Sequence, residues 1–150
     1  MSKPDPITTE VVRYALETIA EEMGTSMRRT ALSVVIKDLR DYSCALFDRE
    51  GGLIAAALDI PSLMASMSPA LKACIAKWGV DIHDGDIFIT NDPYYGGVTH
   101  LNDAVIAMPV FVGGQVIAWT AVKRSRVRNP AASACWVASW MTGPSMTGSL

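Results

Sequence analysis

The chain has 150 residues, half of them hydrophobic, and a formal charge of -2. That is enough for one domain with a core and too little for two. With no basic stripe along the body, the balance excludes broad electrostatic attraction to nucleic acid or anionic membrane and favours a small or neutral substrate.

Three cysteines (Cys44, Cys74 and Cys135) form an odd set without CxxC spacing, which argues against a disulfide framework or a zinc knuckle and fits a reducing cytoplasm. The first ten residues lack the apolar core of a signal peptide, and no stretch approaches the roughly 18 apolar residues of a membrane span. All 15 acidic residues lie at or before Asp103, whereas Lys123, Arg124, Arg126 and Arg128 follow without an acid.

In chain order, Asp5-Pro6 predicts an N-cap followed by proline at the first helical position, where its missing N–H costs nothing. Ile7, Val11, Ala15, Ile19, Met23 and Met27 recur every four residues opposite charged positions, predicting a helix to about Thr30 with that stripe buried and Gly24 as its weak point. From Ser33 the β-branched run SVVI reads as strand. Asp41 to Phe47 alternates, the run 48–52 is a turn, and Leu53 to Ala56 follows, predicting a β-hairpin. Ser68-Pro69 is the expected start of a second helix with Leu71, Ile75 and Trp78 on one stripe, ended by Gly79. Asp86 to Thr90 reads as a short strand, and Ala104–Phe111 and Gln115–Val122 as a second hairpin across Gly113-Gly114. The fold class is therefore α+β: a long N-terminal helix, antiparallel β-hairpins and a second helix. Residues 123–150 lack either periodicity, with Lys123 to Arg128 read as a solvated charge run, and the organised part as 1–122.

The densest local signal is the segment 91–103. A strand end runs into Asn91-Asp92-Pro93-Tyr94-Tyr95-Gly96-Gly97, a bend able to present backbone and side chains to a ligand, and then into His100-Leu101-Asn102-Asp103. An imidazole nitrogen and a carboxylate oxygen suit a zinc- or manganese-like ion, but two donors from one loop do not make a site. Asp41, opening a strand headed for the core, is the candidate third. On residue type alone, the favoured readings are a hydrogen-bonded loop histidine for His100 and an exposed strand-start residue for Asp41. His83 reads as a surface residue, Met64 and Met67 as core filler, and Cys44 as buried and inert.

The ordered set Asp41-Tyr42-Ser43, Asn91-Asp92-Pro93-Tyr94-x-Gly96-Gly97, His100-Leu101-x-Asp103 and Pro109-Val110-Phe111 resembles the start of the hydantoinase B/oxoprolinase family, over residues 5 to 122. The resemblance implies a B-type subunit, cytoplasmic and hetero-oligomeric. An A-type partner would use ATP, bound there and not on this chain, to activate a cyclic amide that the B-type subunit opens with water. It also implies a divalent metal, zinc or manganese, on Asp41, His100 and Asp103, with Asn91, Asp92, Tyr94, Gly96 and Gly97 binding substrate or shaping the loop. Neither nucleic acid nor membrane is an implied partner. Two alternatives stay open: ATP-dependent carboxylation of a ketone, and a non-catalytic remnant or assembly module. The resemblance covers about the first quarter of a usual member, so the isolated chain is expected to be inactive. Departures from the family pattern are Val98, which reads as an insertion, and Lys123-Arg124-Ser125-Arg126, which stands where a histidine-rich strand is usual and suggests a disturbed reading frame.

Overall fold

Helix α1 (Pro6–Thr30) starts where the Asp5-Pro6 pair predicts: the Asp5 carboxylate accepts the Thr8 N–H at 3.1 Å, and proline occupies the first turn. The computed structural model describes residues 5–57, 60–94 and 96–125. The expected continuous buried stripe is corrected. Only Ala20, Gly24 and Met27 of α1 are buried, whereas Ile7 is 75% exposed and Val11 and Ile19 are also exposed. The fully buried positions all lie in the C-terminal half of the helix. Gly24 is an attachment point there, its carbonyl accepting the buried Tyr42 hydroxyl at 3.0 Å.

The run from Ser33 is not a strand. Val34–Lys37 forms one helical turn, α2, closed by Lys37 N–H to Ser33 C=O at 2.9 Å and Asp38 N–H to Val34 C=O at 2.8 Å. Its β-branched residues accept this because Ile36 is buried against Met27, Ala31 and Tyr42; packing outweighs a β preference of at most ~1 kcal/mol.

The first hairpin forms as expected, with β1 (Tyr42–Asp48) antiparallel to β2 (Leu53–Ala56). Its turn is tied by the Asp48 carboxylate, which accepts the Glu50 and Gly52 N–H groups. A short helix missing from the sequence reading, α3 (Pro61–Ala65), precedes α4 (Met67–Trp78). The N-cap of α4 is Ser66, two residues before the expected Ser68, whose hydroxyl instead donates to the Gly51 carbonyl at 2.6 Å. Gly79 ends α4 as expected, and Trp78 is 44% exposed, not buried.

Strands β3 (Phe88–Thr90), β4 (Asp103–Val112) and β5 (Gln115–Ser125) complete one antiparallel sheet of order β2-β1-β5-β4-β3. Gly113 and Gly114 both take positive φ at the β4–β5 turn, which such a two-residue connection requires. In register, Ser43, Lys123 and Val105 line up across the three central strands, followed by Ala45, Ala121 and Ala107. One face packs Ala45, Phe47, Val105, Ala107, Trp119 and Ala121 against Met67, Ala70 and Leu71 of α4. Phe88 meets Trp119 edge-on with ring centroids 5.6 Å apart, a favoured aromatic geometry. The other face carries a smaller cluster of Cys44, Tyr42 and Val122 against Met27 and Ile36. Among the described residues no helix is long and apolar enough to cross a membrane. The expected boundary at 122 is corrected: β5 runs on to Ser125, and Lys123 and Arg124 are buried in it instead of forming a solvated end. The readings of Trp136, Trp140 and a disturbed frame fall on residues outside those described.

Candidate functional site

The segment joining β3 to β4 is held in shape by its own polar groups. The Asp92 carboxylate accepts the Tyr94 N–H at 2.8 Å, and its carbonyl accepts the N–H groups of Gly96 and Val98. Asn91 reaches across the loop to donate to the Leu101 carbonyl at 3.2 Å. Gly96 and Gly97 have no substitute. A Cβ on Gly96 would fall 2.6 Å from Thr90 Oγ1 and 2.7 Å from the Asp92 carbonyl; on Gly97, whose φ is +64°, it would fall 2.6 Å from Pro69 Cβ. Tyr94 itself is 90% exposed.

Val98 is not a disturbance of this loop. It is 2% exposed and belongs to the main core, so it plugs the loop onto the sheet and leaves Thr99 and His100 facing the end of β4. Val98 is the loop's hydrophobic anchor.

At that end the structure brings together two of the three expected ligands. His100 Nε2 lies 3.4 Å from Asp103 Oδ2, with the imidazole 58% exposed and the carboxylate 1% exposed. Asp103 alternates inward with Val105 and Ala107, which places its charge on the core face of the sheet. The same oxygen accepts the Thr99 hydroxyl at 2.9 Å and lies 3.1 Å from Lys123 Nζ. Lys123, 0% exposed, donates also to Ser66 Oγ at 2.6 Å and to Thr99 Oγ1 at 2.8 Å. The Asp103 charge is thus neutralised from within the fold.

Asp41 does not join them. Arg40 takes φ +53°, and the Tyr42 N–H bonds to the Arg40 carbonyl at 2.9 Å, so a tight three-residue turn centres on Asp41 just outside β1. Among the described residues no three His, Cys, Asp or Glu side chains gather closely enough to hold a metal ion. As these residues stand, then, the trio does not fit a resident zinc or manganese ion. Asp41 is not gathered with the other two, and Asp103 already carries an ammonium contact.

Sequence reasoning missed Lys123, Thr99 and Ser66. The first had a signal: Trp119, Ala121 and Lys123 alternate along one strand, so a lysine stood at an inward position. The other two had none, because hydroxyls of this kind are scattered through the chain and only the fold selects them. Beside the loop, a cleft of about 640 Å³ lies between α4 and β3, lined by Cys74, Lys77, Trp78, Thr90, Asp92 and Gly96. It is of ligand size, but His100, Asp103 and Lys123 do not line it. The convergent charged groups belong to the polar cluster at the end of β4, not to this cleft. Burial pushes the Cys74 thiol up, against nucleophile use. Cys44 is fully buried, as its inward alternation indicated, and His83 is an exposed turn residue paired with Asp81 and Asp86.

Comparison with known proteins places these features in a family. Residues 5–125 match the family description hydantoinase B/oxoprolinase. The caprolactamase subunit beta of Pseudomonas jessenii is 41% identical over 123 residues, covering 82% of this chain and 21% of that protein. The crystal structure of the ATP-dependent caprolactamase from that organism superposes with a TM-score of 0.76 at 38% identity, covering 83% of this chain and 21% of the other. The 5-oxoprolinase 1 of Arabidopsis thaliana is 36% identical over 117 residues, 78% of this chain and 9% of that protein. A nucleotide-free acetone carboxylase structure superposes with a TM-score of 0.74 at 22% identity, over 81% of this chain and 16% of the other, a likeness of fold alone. The chain spans about a fifth or less of the length of these relatives. By its sequence match and by the architecture it shares with caprolactamase, the chain belongs to the hydantoinase B/oxoprolinase family.

Proposed function

We propose that the protein carrying this chain is the B-type subunit of an ATP-dependent hydrolase that opens a cyclic amide. Resonance makes a lactam or hydantoin carbonyl a poor electrophile. An A-type partner would transfer the γ-phosphoryl group of ATP to the amide oxygen, releasing ADP. Water then adds to the activated carbon, and the ring C–N bond breaks with its electron pair and a proton going to nitrogen. A second water releases phosphate.

The observation that carries this reading is the exposed His100 imidazole held against a buried carboxylate at the end of a glycine-shaped loop, in a chain whose relatives include a caprolactamase and a 5-oxoprolinase. One ring nitrogen faces Asp103, while the exposed ring can take a proton from an attacking water, a role worth typically 10²–10⁴-fold. Ketone carboxylation is the second reading, and its support is weaker because the acetone carboxylase likeness is one of fold.

The test pairs the protein with an A-type subunit and ATP, offering 5-oxoproline, hydantoin or caprolactam, or alternatively a ketone with bicarbonate. ADP release coupled to ring opening, reduced at least ~100-fold in His100→Ala with the melting temperature unchanged, is expected. ADP release that only the ketone and bicarbonate support would overturn the hydrolase reading.

A further inference from the structure

Lys123 sits in β5 with no exposed surface, and its ammonium meets three oxygens: Ser66 Oγ at 2.6 Å, Thr99 Oγ1 at 2.8 Å and Asp103 Oδ2 at 3.1 Å. Two of the ammonium's three N–H donors have hydroxyl acceptors, on Ser66 and Thr99, and its charge faces the Asp103 carboxylate. Its charge partner Asp103 is equally enclosed and takes a further hydrogen bond from Thr99. Four parts of the fold meet at this point: the α3–α4 junction through Ser66, the 91–102 loop through Thr99, β4 through Asp103 and β5 through Lys123.

We infer that Lys123 is the resident cation of this site, and that Asp103 is its counter-ion and the tie of the His100 loop instead of a metal ligand. A divalent ion bound to Asp103 would stand beside a buried ammonium, where like charges repel strongly because little water screens them. Either cation can neutralise this carboxylate, and the fold supplies one of them covalently. Because Thr99 immediately precedes His100 and bonds both members of the pair, the ammonium also fixes where the imidazole emerges. The inference rests on hydrogen-bond geometry and burial alone, so its test requires no turnover and is separate from that of the hydrolase reading.

The variants are Lys123→Met, Asp103→Asn, both together, and Thr99→Val in the 150-residue chain, with thermal melting and zinc titration by calorimetry as readouts. Each charge variant strands a buried partner and is expected to lower the melting temperature by about 10 °C, with the double variant losing clearly less than the sum of the two. Thr99→Val, which keeps the shape and removes one bridging hydroxyl, is expected to lose about 3 °C. Zinc is expected to bind Lys123→Met at least ~10-fold more tightly than the unsubstituted chain, a change that loss of packing alone would not produce. Additive losses, or zinc binding by the unsubstituted chain that matches Lys123→Met and disappears in Asp103→Asn, would overturn the inference. Where a charge variant does not fold, an unchanged melting temperature in Thr99→Val would overturn it by itself.

Discussion

Two regions of this chain reverse what residue type suggests. Helix α1 carries Ile7, Val11 and Ile19 in solvent ahead of Ala20, whereas the end of the central sheet encloses Lys123 and Asp103. The periodicity that marks an apolar helix face is the same before and after Ala20, yet the fully buried positions begin only there. The alternation that hides Trp119 and Ala121 hides Lys123 too, because Ser66, Thr99 and Asp103 converge on its ammonium. Pattern states which residues share a face. Whether that face is covered, and by what, depends on elements distant in sequence.

The contrast within α1 can be broken most severely at Met27. It lies on the same stripe as Val11 but is buried against Ile36 and Tyr42, so Met27→Ala is expected to cost about 2–5 kcal/mol in chemical denaturation. At the sheet end, Gly97→Ala forces a left-handed φ and a contact with Pro69, with an expected loss of about 1–3 kcal/mol by the same measurement. The smallest effect belongs to the exposed half of α1: Val11→Ser should move stability by no more than about 0.5 kcal/mol. A large loss at Val11 would mean that the N-terminal turns are covered after all, and the comparison would collapse.

Much of the fold was legible where the signal is local. Asp5-Pro6 supplies its own cap and first turn, Gly113-Gly114 its own positive φ, and the alternation from Tyr42 to Phe47 needs only the rule that successive strand residues face opposite ways. The misreadings fell where distant packing decides. The β-branched run after Ser33 became a helical turn because Ile36 found a pocket under α1, and the start of α4 moved to Ser66 while Ser68 bonded to the first hairpin turn. The candidate site shows the same division. Its loop was visible in the density of glycine and turn-forming residues, and the His100–Asp103 pair in its spacing. The turn at Asp41 depends on the unusual backbone of Arg40, and the ammonium on Asp103 comes from a strand twenty residues further along the chain, neither of which motif spacing encodes.

The most direct measurement is amine acetylation of the native chain followed by mass spectrometry, with and without zinc. The exposed Lys37, Lys72 and Lys77 should react quickly while Lys123 stays unmodified in both conditions. Labelling of Lys123 at the rate of Lys77, or its appearance on adding zinc, would show that the ammonium is not the fixed partner of Asp103 and would contradict the account.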